Sequence, residues 1–267
     1  MKKFNYIRGE GPLLISIPHM GTHLPADLKH RMTPAALQLS DTDWHVDKLY
    51  LFAREIGASI LMATHSRYVI DLNRPQDDQH LYPGQVKTGL CPLETFDGAR
   101  LYKDGEEFDE IEKLNRIAAY WLPYHEHLAQ ELARIKEKKG YAILYDAHSI
   151  RTEVPRLFDG KLCDLNLGTA HNTTAAPEMA SAAFAAAEAS GYTSILNGRF
   201  VGGYITRHYG QPANDVHAIQ MELTWGNYME ETPPYLYAPA KAERLQAALK
   251  TVVSAILDWG KGAYGRV

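Results

Sequence analysis

Three short apolar runs in this chain end in side chains that bind metals or move protons. Leu13-Leu14-Ile15-Ser16-Ile17 leads into Pro18-His19, Tyr141-Ala142-Ile143-Leu144-Tyr145 into Asp146-Ala147-His148, and Ile219-Gln220-Met221 into Glu222. Runs this rich in β-branched and aromatic residues read as strands, and in an α/β sheet the strand ends open onto a shared crevice. Imidazole nitrogen and carboxylate oxygen are donors that Zn²⁺ accepts. Two histidines and one acid would leave a coordination position for water. His19 and His148 are the histidine candidates, and either Asp47 or Asp43, one helical turn apart, can supply the oxygen. Glu222 is placed to take a proton from the water.

The neighbouring residues suggest how such a centre is held. Asp146 precedes His148 by two, so an extended chain points both to one face and lets the carboxylate orient the ring through its second nitrogen. The Ser149 hydroxyl is a second candidate for that work. Gln220, Glu222 and Thr224 share one strand face, while Met221 and Leu223 enter the core. Asn73-Arg74 follows Val69-Ile70-Asp71-Leu72, and Arg207 follows Gly202-Gly203-Tyr204-Ile205-Thr206. Two separated guanidinium groups suit a substrate bearing carboxylates, since each can make a bidentate contact. Arg67 and Arg151 extend the same positive lining. The Gly202-Gly203 pair lets the backbone approach a ligand or lets a lid move. The chain has no G-x-x-x-x-G-K-[S/T], H-E-x-x-H or G-x-S-x-G motif, which argues against phosphate-loop, zincin and serine-hydrolase chemistry.

The elements that must position these groups alternate between strand and helix. A helix is expected from Asp41 or Thr42 to Gly57, with Asp43 and Asp47 on one face and Trp44, Leu49, Phe52 and Ile56 inward. Ser59–Ala63 and Tyr68–Leu72 read as short strands. From Pro75 to Gly105 the pattern gives way to polar residues, Gly and Pro, and so long a connection suggests a site wall or lid. Helix follows from Glu106 to Lys139, divided near Pro123. The strand ending at Asp146 comes next, then an Ala-rich helix over Met179–Ser190, a short strand over Tyr192–Leu196, a flexible loop over Gly198–Tyr204, a strand over Val216–Thr224 and a final helix over Pro239–Trp259. The alternation predicts one α/β domain over residues 1–267, with a mixed, mostly parallel sheet flanked by helices.

Bulk properties narrow the class. The 267 residues are 45% hydrophobic and 22% charged with a net charge of -4, a globular composition that offers nothing to a nucleic-acid backbone. Cys91 and Cys163 are too few for a disulfide framework, which fits a reducing cytoplasmic setting. No signal-peptide pattern follows Met1-Lys2-Lys3, and no apolar run approaches the roughly 20 residues that span a bilayer. A soluble protein with neither nucleic-acid nor membrane partners is expected.

Taken in order, Ser16-Ile17-Pro18-His19-Met20-Gly21-Thr22-His23-Leu24-Pro25, Asp41-Thr42-Asp43-Trp44-His45-Val46-Asp47, Tyr68-Val69-Ile70-Asp71-Leu72-Asn73-Arg74-Pro75, Tyr145-Asp146-Ala147-His148-Ser149, Gly202-Gly203-Tyr204-Ile205-Thr206-Arg207 and Gln220-Met221-Glu222-Leu223-Thr224-Trp225 resemble the N-formylglutamate amidohydrolase family over nearly the whole chain. The resemblance implies a phosphorylase/hydrolase-like α/β fold shared with zinc carboxypeptidases. It implies His19 and His148 as metal ligands, Glu222 as the catalytic carboxylate, and Asn73, Arg74, Gly203, Thr206 and Arg207 as substrate-binding residues. Asp43, Asp146 and Ser149 would stand behind the ligands. Thr22 occupies the position where zinc carboxypeptidases carry the acid of their H-x-x-E motif, and this makes Asp47 the preferred oxygen ligand. One divalent metal is implied, Zn²⁺ first, with Co²⁺ or Mn²⁺ suited to related ligands. The implied reaction is hydrolysis of N-formyl-L-glutamate, a small dicarboxylate N-acyl amino acid, to formate and L-glutamate in histidine degradation. Another N-acyl amino-acid hydrolase, a carboxypeptidase-like peptidase and a non-catalytic small-molecule binder are the alternatives.

Overall fold

Seven strands lie side by side in the order β1 (Phe4–Ile7), β3 (Ser59–Ala63), β2 (Leu13–Ile17), β4 (Ala142–Ile150), β7 (Val216–Thr224), β5 (Leu165–Gly168) and β6 (Ser194–Leu196). The structure is a computed structural model that describes residues 2–79 and 88–265. Strands β3, β2, β4 and β7 run parallel, β5 turns antiparallel to β7, β6 runs parallel to β5, and β1 closes the other edge antiparallel to β3. This is the mixed, mostly parallel sheet that the alternation of elements predicts.

Side-chain alternation gives the central strands two different faces. Ile15, Ile17, Tyr145, Ala147, Met221 and Leu223 enter one core with α5 (Pro177–Glu188) and α7 (Pro239–Tyr264). The opposite face starts equally apolar, with Leu14, Leu144 and Ala218 packed with Leu128, Leu132 and Ile135 of α4 (Leu122–Lys139). Further along the same face the residues become Asp146 and His148 on β4 and Gln220 and Glu222 on β7. One end of that face is therefore core and the other is a polar site. The chain leaves β2 toward β3 on one side and later lays β4 on the other, so His19 emerges where the strand order reverses, the usual place for a crevice in such sheets.

Pro123 divides the long helical region as expected, since it has no N–H for the helical ladder. The break takes the form of a π-helical stretch, Ile117–Trp121, between α3 (Glu110–Arg116) and α4. It aims the Trp121 indole, whose Nε1 donates to the Arg74 carbonyl at 2.9 Å. Asp109 caps α3 by accepting from the Glu112 N–H.

Several elements differ from the sequence expectation. Tyr68–Leu72 is a buried turn and not a strand, and its β-forming residues serve burial instead of pairing. Side chains satisfy its backbone: Arg116 Nη1 donates to the Val69 carbonyl at 3.0 Å, and His125 Nε2 lies 2.8 Å from the Leu72 carbonyl. The helix expected from Asp41 or Thr42 begins only at Val46, as α2 (Val46–Leu49), because His45 sits in the left-handed region at φ 61° and interrupts helical geometry. Two short helices, α1 (Ala26–Arg31) and α6 (Tyr204–Tyr209), and the edge strand β1 occupy segments whose sequence carries no clear periodic signal. Of the connection expected between Pro75 and Gly105, residues 80–87 lie outside the described residues, whereas Thr88 and Phe96 border the cleft. Among the described residues no helix is long and apolar enough to cross a membrane.

The turn that carries His19 lies flat on the chain after β3. His23 N–H donates to the Thr64 carbonyl at 3.1 Å and Ser66 N–H to the His23 carbonyl at 2.9 Å. A Cβ on Gly21 would come within 2.2 Å of the His65 carbonyl oxygen, so only glycine fits there. We predict that Gly21→Ala lowers stability by about 1–3 kcal/mol, the usual cost of overpacking. Urea unfolding checks this, and an unchanged midpoint would show that the turn yields freely.

Candidate metal centre and active site

Pro18 ends β2 and the following turn brings the His19 ring back over the sheet, while β4 runs far enough to carry His148 to the same place. Asp43 reaches them because its N–H donates to the His19 carbonyl at 3.0 Å, tying the two loops together. His19, Asp43 and His148 are buried, and one ligand atom from each lies within 4.8 Å of the others. Asp43 Oδ2 stands 3.8 Å from His19 Nδ1 and 3.2 Å from His148 Nδ1. Asp47, the acid preferred from the sequence, is not part of this cluster; Asp43 stands in its place. The left-handed turn at His45 separates the two acids, leaving Asp47 half-buried on α2, where its charge acts on Tyr237.

Each imidazole is gripped from behind. His19 Nε2 is 2.7 Å from Asp71 Oδ1, and His148 Nε2 is 2.9 Å from Asp146 Oδ2, which turns both Nδ1 atoms toward Asp43. Asp71 is fixed in turn by Arg67 Nη2 at 2.5 Å and by the Asn73 N–H at 2.8 Å. Burial opposes its charge, but Arg67 and His19 outweigh burial and hold its carboxyl well below the usual range. Burial, reinforced by Arg67, pushes His19 down toward the neutral form that binds metals. Burial also disfavours charge on His148, yet Asp146 and Asp43 together push it well up. The two histidines thus respond in opposite directions: burial and Arg67 prevail at His19, and the carboxylates of Asp146 and Asp43 prevail at His148. Asp43, Asp71, Asp146 and Glu222 are all buried, Arg67 is the buried guanidinium that pairs with Asp71, and one oxygen of Asp146, Oδ1, is buried without a hydrogen-bond partner among the described residues. Two imidazole nitrogens and a carboxylate oxygen, with this surplus of anions, fit a divalent cation.

Glu222 stands beside His148 in the paired register of β7 and β4. Its Oε2 accepts from Gln220 Nε2 at 3.2 Å, and Gln220 Oε1 accepts from the Gly203 N–H at 2.6 Å. Burial, helped by Asp43 and Asp146 against His148 and Arg67, pushes the Glu222 carboxyl up to about 8. A cation held by its neighbours would act in the opposite direction.

The residues expected to bind substrate divide into two groups. Arg74 and Gly203 line the cleft above the centre, together with Asn73, Phe96, Leu157 and Phe200. Asn73 also acts inside the wall: Nδ2 donates to Asp146 Oδ2 at 3.3 Å and lies 3.0 Å from His148 Nε2, and Oδ1 accepts from the Ile205 N–H at 2.8 Å. Gly203 must be glycine, because a Cβ there would lie 2.4 Å from Asn73 Nδ2. Thr206 is buried with Oγ1 3.4 Å from Asp146 Oδ2, behind the cleft. Ser149 turns away from the histidine rings and accepts from Tyr228 Oη at 2.8 Å and Trp225 Nε1 at 3.2 Å. Arg207 is exposed on α6, outside the cleft lining, with Nε donating to the Gly202 carbonyl at 2.8 Å. Arg151 likewise lies outside it and pairs with Asp97 at 2.8 Å. The cleft arginines among the described residues are Arg67, Arg74 and Arg199. Arg199 lies in the loop after the short strand β6 and belongs to no motif, so its residue type and spacing alone do not single it out.

A buried His/Asp/His donor set beside a carboxylate, at the carboxyl ends of a mostly parallel sheet, is the layout of a hydrolytic enzyme. The model of the family described as N-formylglutamate amidohydrolase matches residues 11–229, and the chain belongs to that family. The N-formylglutamate deformylase of Pseudomonas aeruginosa is 48% identical over 261 residues, covering 97% of this chain and 98% of the relative. That of Pseudomonas putida is 47% identical over 266 residues, covering 99% of each. Among solved structures, N-formylglutamate amidohydrolase from Ralstonia eutropha JMP134 superposes with a TM-score of 0.84 at 26% identity, covering 98% of this chain and all, 100%, of that one. The protein is an amidohydrolase.

The geometry separates the two acids of the Asp41–Asp47 segment. We predict that Asp43→Ala weakens Zn²⁺ binding at least about tenfold, as loss of a ligand or its supporting shell does, whereas Asp47→Ala leaves it unchanged. Metal titration of the folded variants decides the matter; equal affinity in Asp43→Ala and wild type would remove Asp43 from the ligand set.

Proposed function

We propose that this protein, acting as one catalytic domain over residues 1–267, hydrolyses N-formyl-L-glutamate to formate and L-glutamate. The observation that carries the reading is the buried cluster of His19, Asp43 and His148 beside Glu222, in a chain whose relatives of near-complete coverage are N-formylglutamate deformylases. His19, Asp43 and His148 would hold one divalent metal, with Zn²⁺ the best match to two imidazoles and a carboxylate and with Co²⁺ or Mn²⁺ able to use the same donors. Bound there, the metal supplies positive charge that polarises the formyl oxygen and makes water a stronger acid.

The protein's own groups account for the remaining chemistry. Glu222 removes a proton as the water oxygen bonds to the formyl carbon, and it returns that proton to the nitrogen as the C–N bond breaks. Gln220 holds one carboxylate oxygen of Glu222, leaving the other to meet the water. Asp71 and Asp146 fix the histidine rings so that the donors need no reorganisation during the reaction. Arg67 and Arg74 make the cleft favourable for an anionic substrate. This reading carries with it a role in histidine degradation in the cytoplasm.

The test is formate and free-amine release by the metal-loaded protein from N-formyl-L-glutamate, other N-acyl amino acids and short peptides. Release of formate from N-formyl-L-glutamate is expected. Failure on that compound beside clear cleavage of another substrate would overturn the assignment. We further predict that Glu222→Gln keeps its metal and fold but loses roughly 10²–10⁴-fold in kcat, the usual contribution of general acid-base catalysis. A near-wild-type kcat would show that another group moves the proton.

A further inference from the structure

Asn73 is the point through which both histidines of the centre are supported. Its N–H donates to Asp71 Oδ1, the atom that grips His19 Nε2, and its Nδ2 donates to Asp146 Oδ2, the atom that grips His148 Nε2. The Ile205 N–H donates to Asn73 Oδ1 and so decides which way the amide faces. A shift of the Asn73 backbone would therefore reach both rings.

No helix or strand contains Asn73 to fix that backbone. Instead, the carbonyls on either side of it meet side chains. His125 Nε2 lies 2.8 Å from the Leu72 carbonyl, and Trp121 Nε1 donates to the Arg74 carbonyl at 2.9 Å. The two partners come from one place. Trp121 ends the π-helical stretch and His125 follows about one turn later in α4, with the two rings stacked at 3.7 Å between centres and 21° between planes. Both are buried. A stack this close holds the two donors at one spacing, matched to the two carbonyls. Single π-helical turns within α-helices are frequent at functional sites, and this one delivers the indole N–H beside the centre.

The protonation of His125 suits this task. A carbonyl can only accept, so Nε2 carries the ring's N–H, and Nδ1 is left to accept from Tyr209 Oη at 2.9 Å. Burial pushes the ring down to about 3, which keeps it neutral. Tyr209 belongs to α6, the helix that also supplies the Ile205 N–H to Asn73. The backbone and the amide of Asn73 are thus held by the same assembly of α4 and α6.

We infer that Trp121 and His125 are positioning residues for the metal centre: together they clamp the carbonyls before and after Asn73, and through Asn73 they hold Asp71 and Asp146 against the two histidines. The inference rests on the metal centre proposed above.

The test is Zn²⁺ affinity, measured by chelator competition on folded protein, in wild type, Trp121→Phe, His125→Phe and His125→Gln, with urea unfolding of the same preparations free of metal. Trp121→Phe and His125→Phe each keep a ring in the stack and remove one donor. Each should weaken Zn²⁺ binding by about 3- to 10-fold, less than the roughly 10- to 100-fold typical of losing a group that touches a ligand directly. His125→Gln, which can return an amide N–H to the Leu72 carbonyl, should recover affinity to within about twofold of wild type. A merely structural role would lower the urea midpoints and leave Zn²⁺ affinity at the wild-type value, and that result would overturn the inference. So would a His125→Gln variant that binds no better than His125→Phe. Should His125→Phe fail to fold, Trp121→Phe decides alone, with wild-type affinity again counting against the clamp. If wild type bound no Zn²⁺, the metal centre itself would fall and the inference with it, a result distinct from a loss confined to stability.

Discussion

The site depends on the register between β4 and β7. Nine consecutive pairs place His148 beside Glu222 and Asp146 beside Gln220, so the groups that would hold the metal and move the proton share one face of adjacent strands. A slip of one residue on either strand would turn its polar side chains into the core and bring Met221 or Ala147 to the surface of the cleft. The apolar halves of the same strands prevent such a slip. Tyr145, Ala147, Met221 and Leu223 on one face, and Leu144 and Ala218 at the base of the other, are all buried, so any displacement would expose apolar area along the whole pair. Core packing thus sets the geometry of the chemistry.

That geometry concentrates negative charge where water is excluded. An unpaired buried carboxylate costs several kcal/mol, and Asp43, Asp71, Asp146 and Glu222 are all buried together. Part of the compensation is built into the fold through Arg67, whose guanidinium binds Asp71 and stacks 4.7 Å from Phe96. The remaining imbalance appears in the groups that can take up a proton: His148 is pushed up by its acidic neighbours, and Glu222 is pushed up first by burial and then by Asp43 and Asp146. A divalent cation held by His19, Asp43 and His148 would relieve both at once. Binding of that cation and stability of the fold are accordingly linked, since it would favour only the folded arrangement of the donors.

The parts legible in the sequence are those governed by local periodicity. The strands β2, β4 and β7, the Ala-rich helix and the last helix follow from alternation and propensity, and the ends of those strands are where His19, His148 and Glu222 fall in the sequence. The less legible parts depend on single backbone angles and on distant contacts. Asp43 and Asp47 are equivalent on an ideal helix, and the left-handed turn at His45 alone separates them. Tyr68–Leu72 has the composition of a strand, yet its backbone partners are side chains of α3 and α4, Arg116 and His125, about fifty residues downstream. Such contacts leave no periodic trace.

The cleft arginines show the same division between near and distant order. Arg67 and Arg74 flank Asp71 in one short segment whose burial is visible as a run of apolar residues, so their approach to the centre can be read from the chain. Arg199 reaches the cleft only because β6 pairs with β5, β5 reverses direction against β7, and the loop after β6 crosses back over the sheet before α6 begins. Gly203 completes that return, since its lack of a side chain lets the loop rest on Asn73 and its N–H grips Gln220. The loop that presents Arg199 is therefore anchored to the same two residues that support His148 and Glu222.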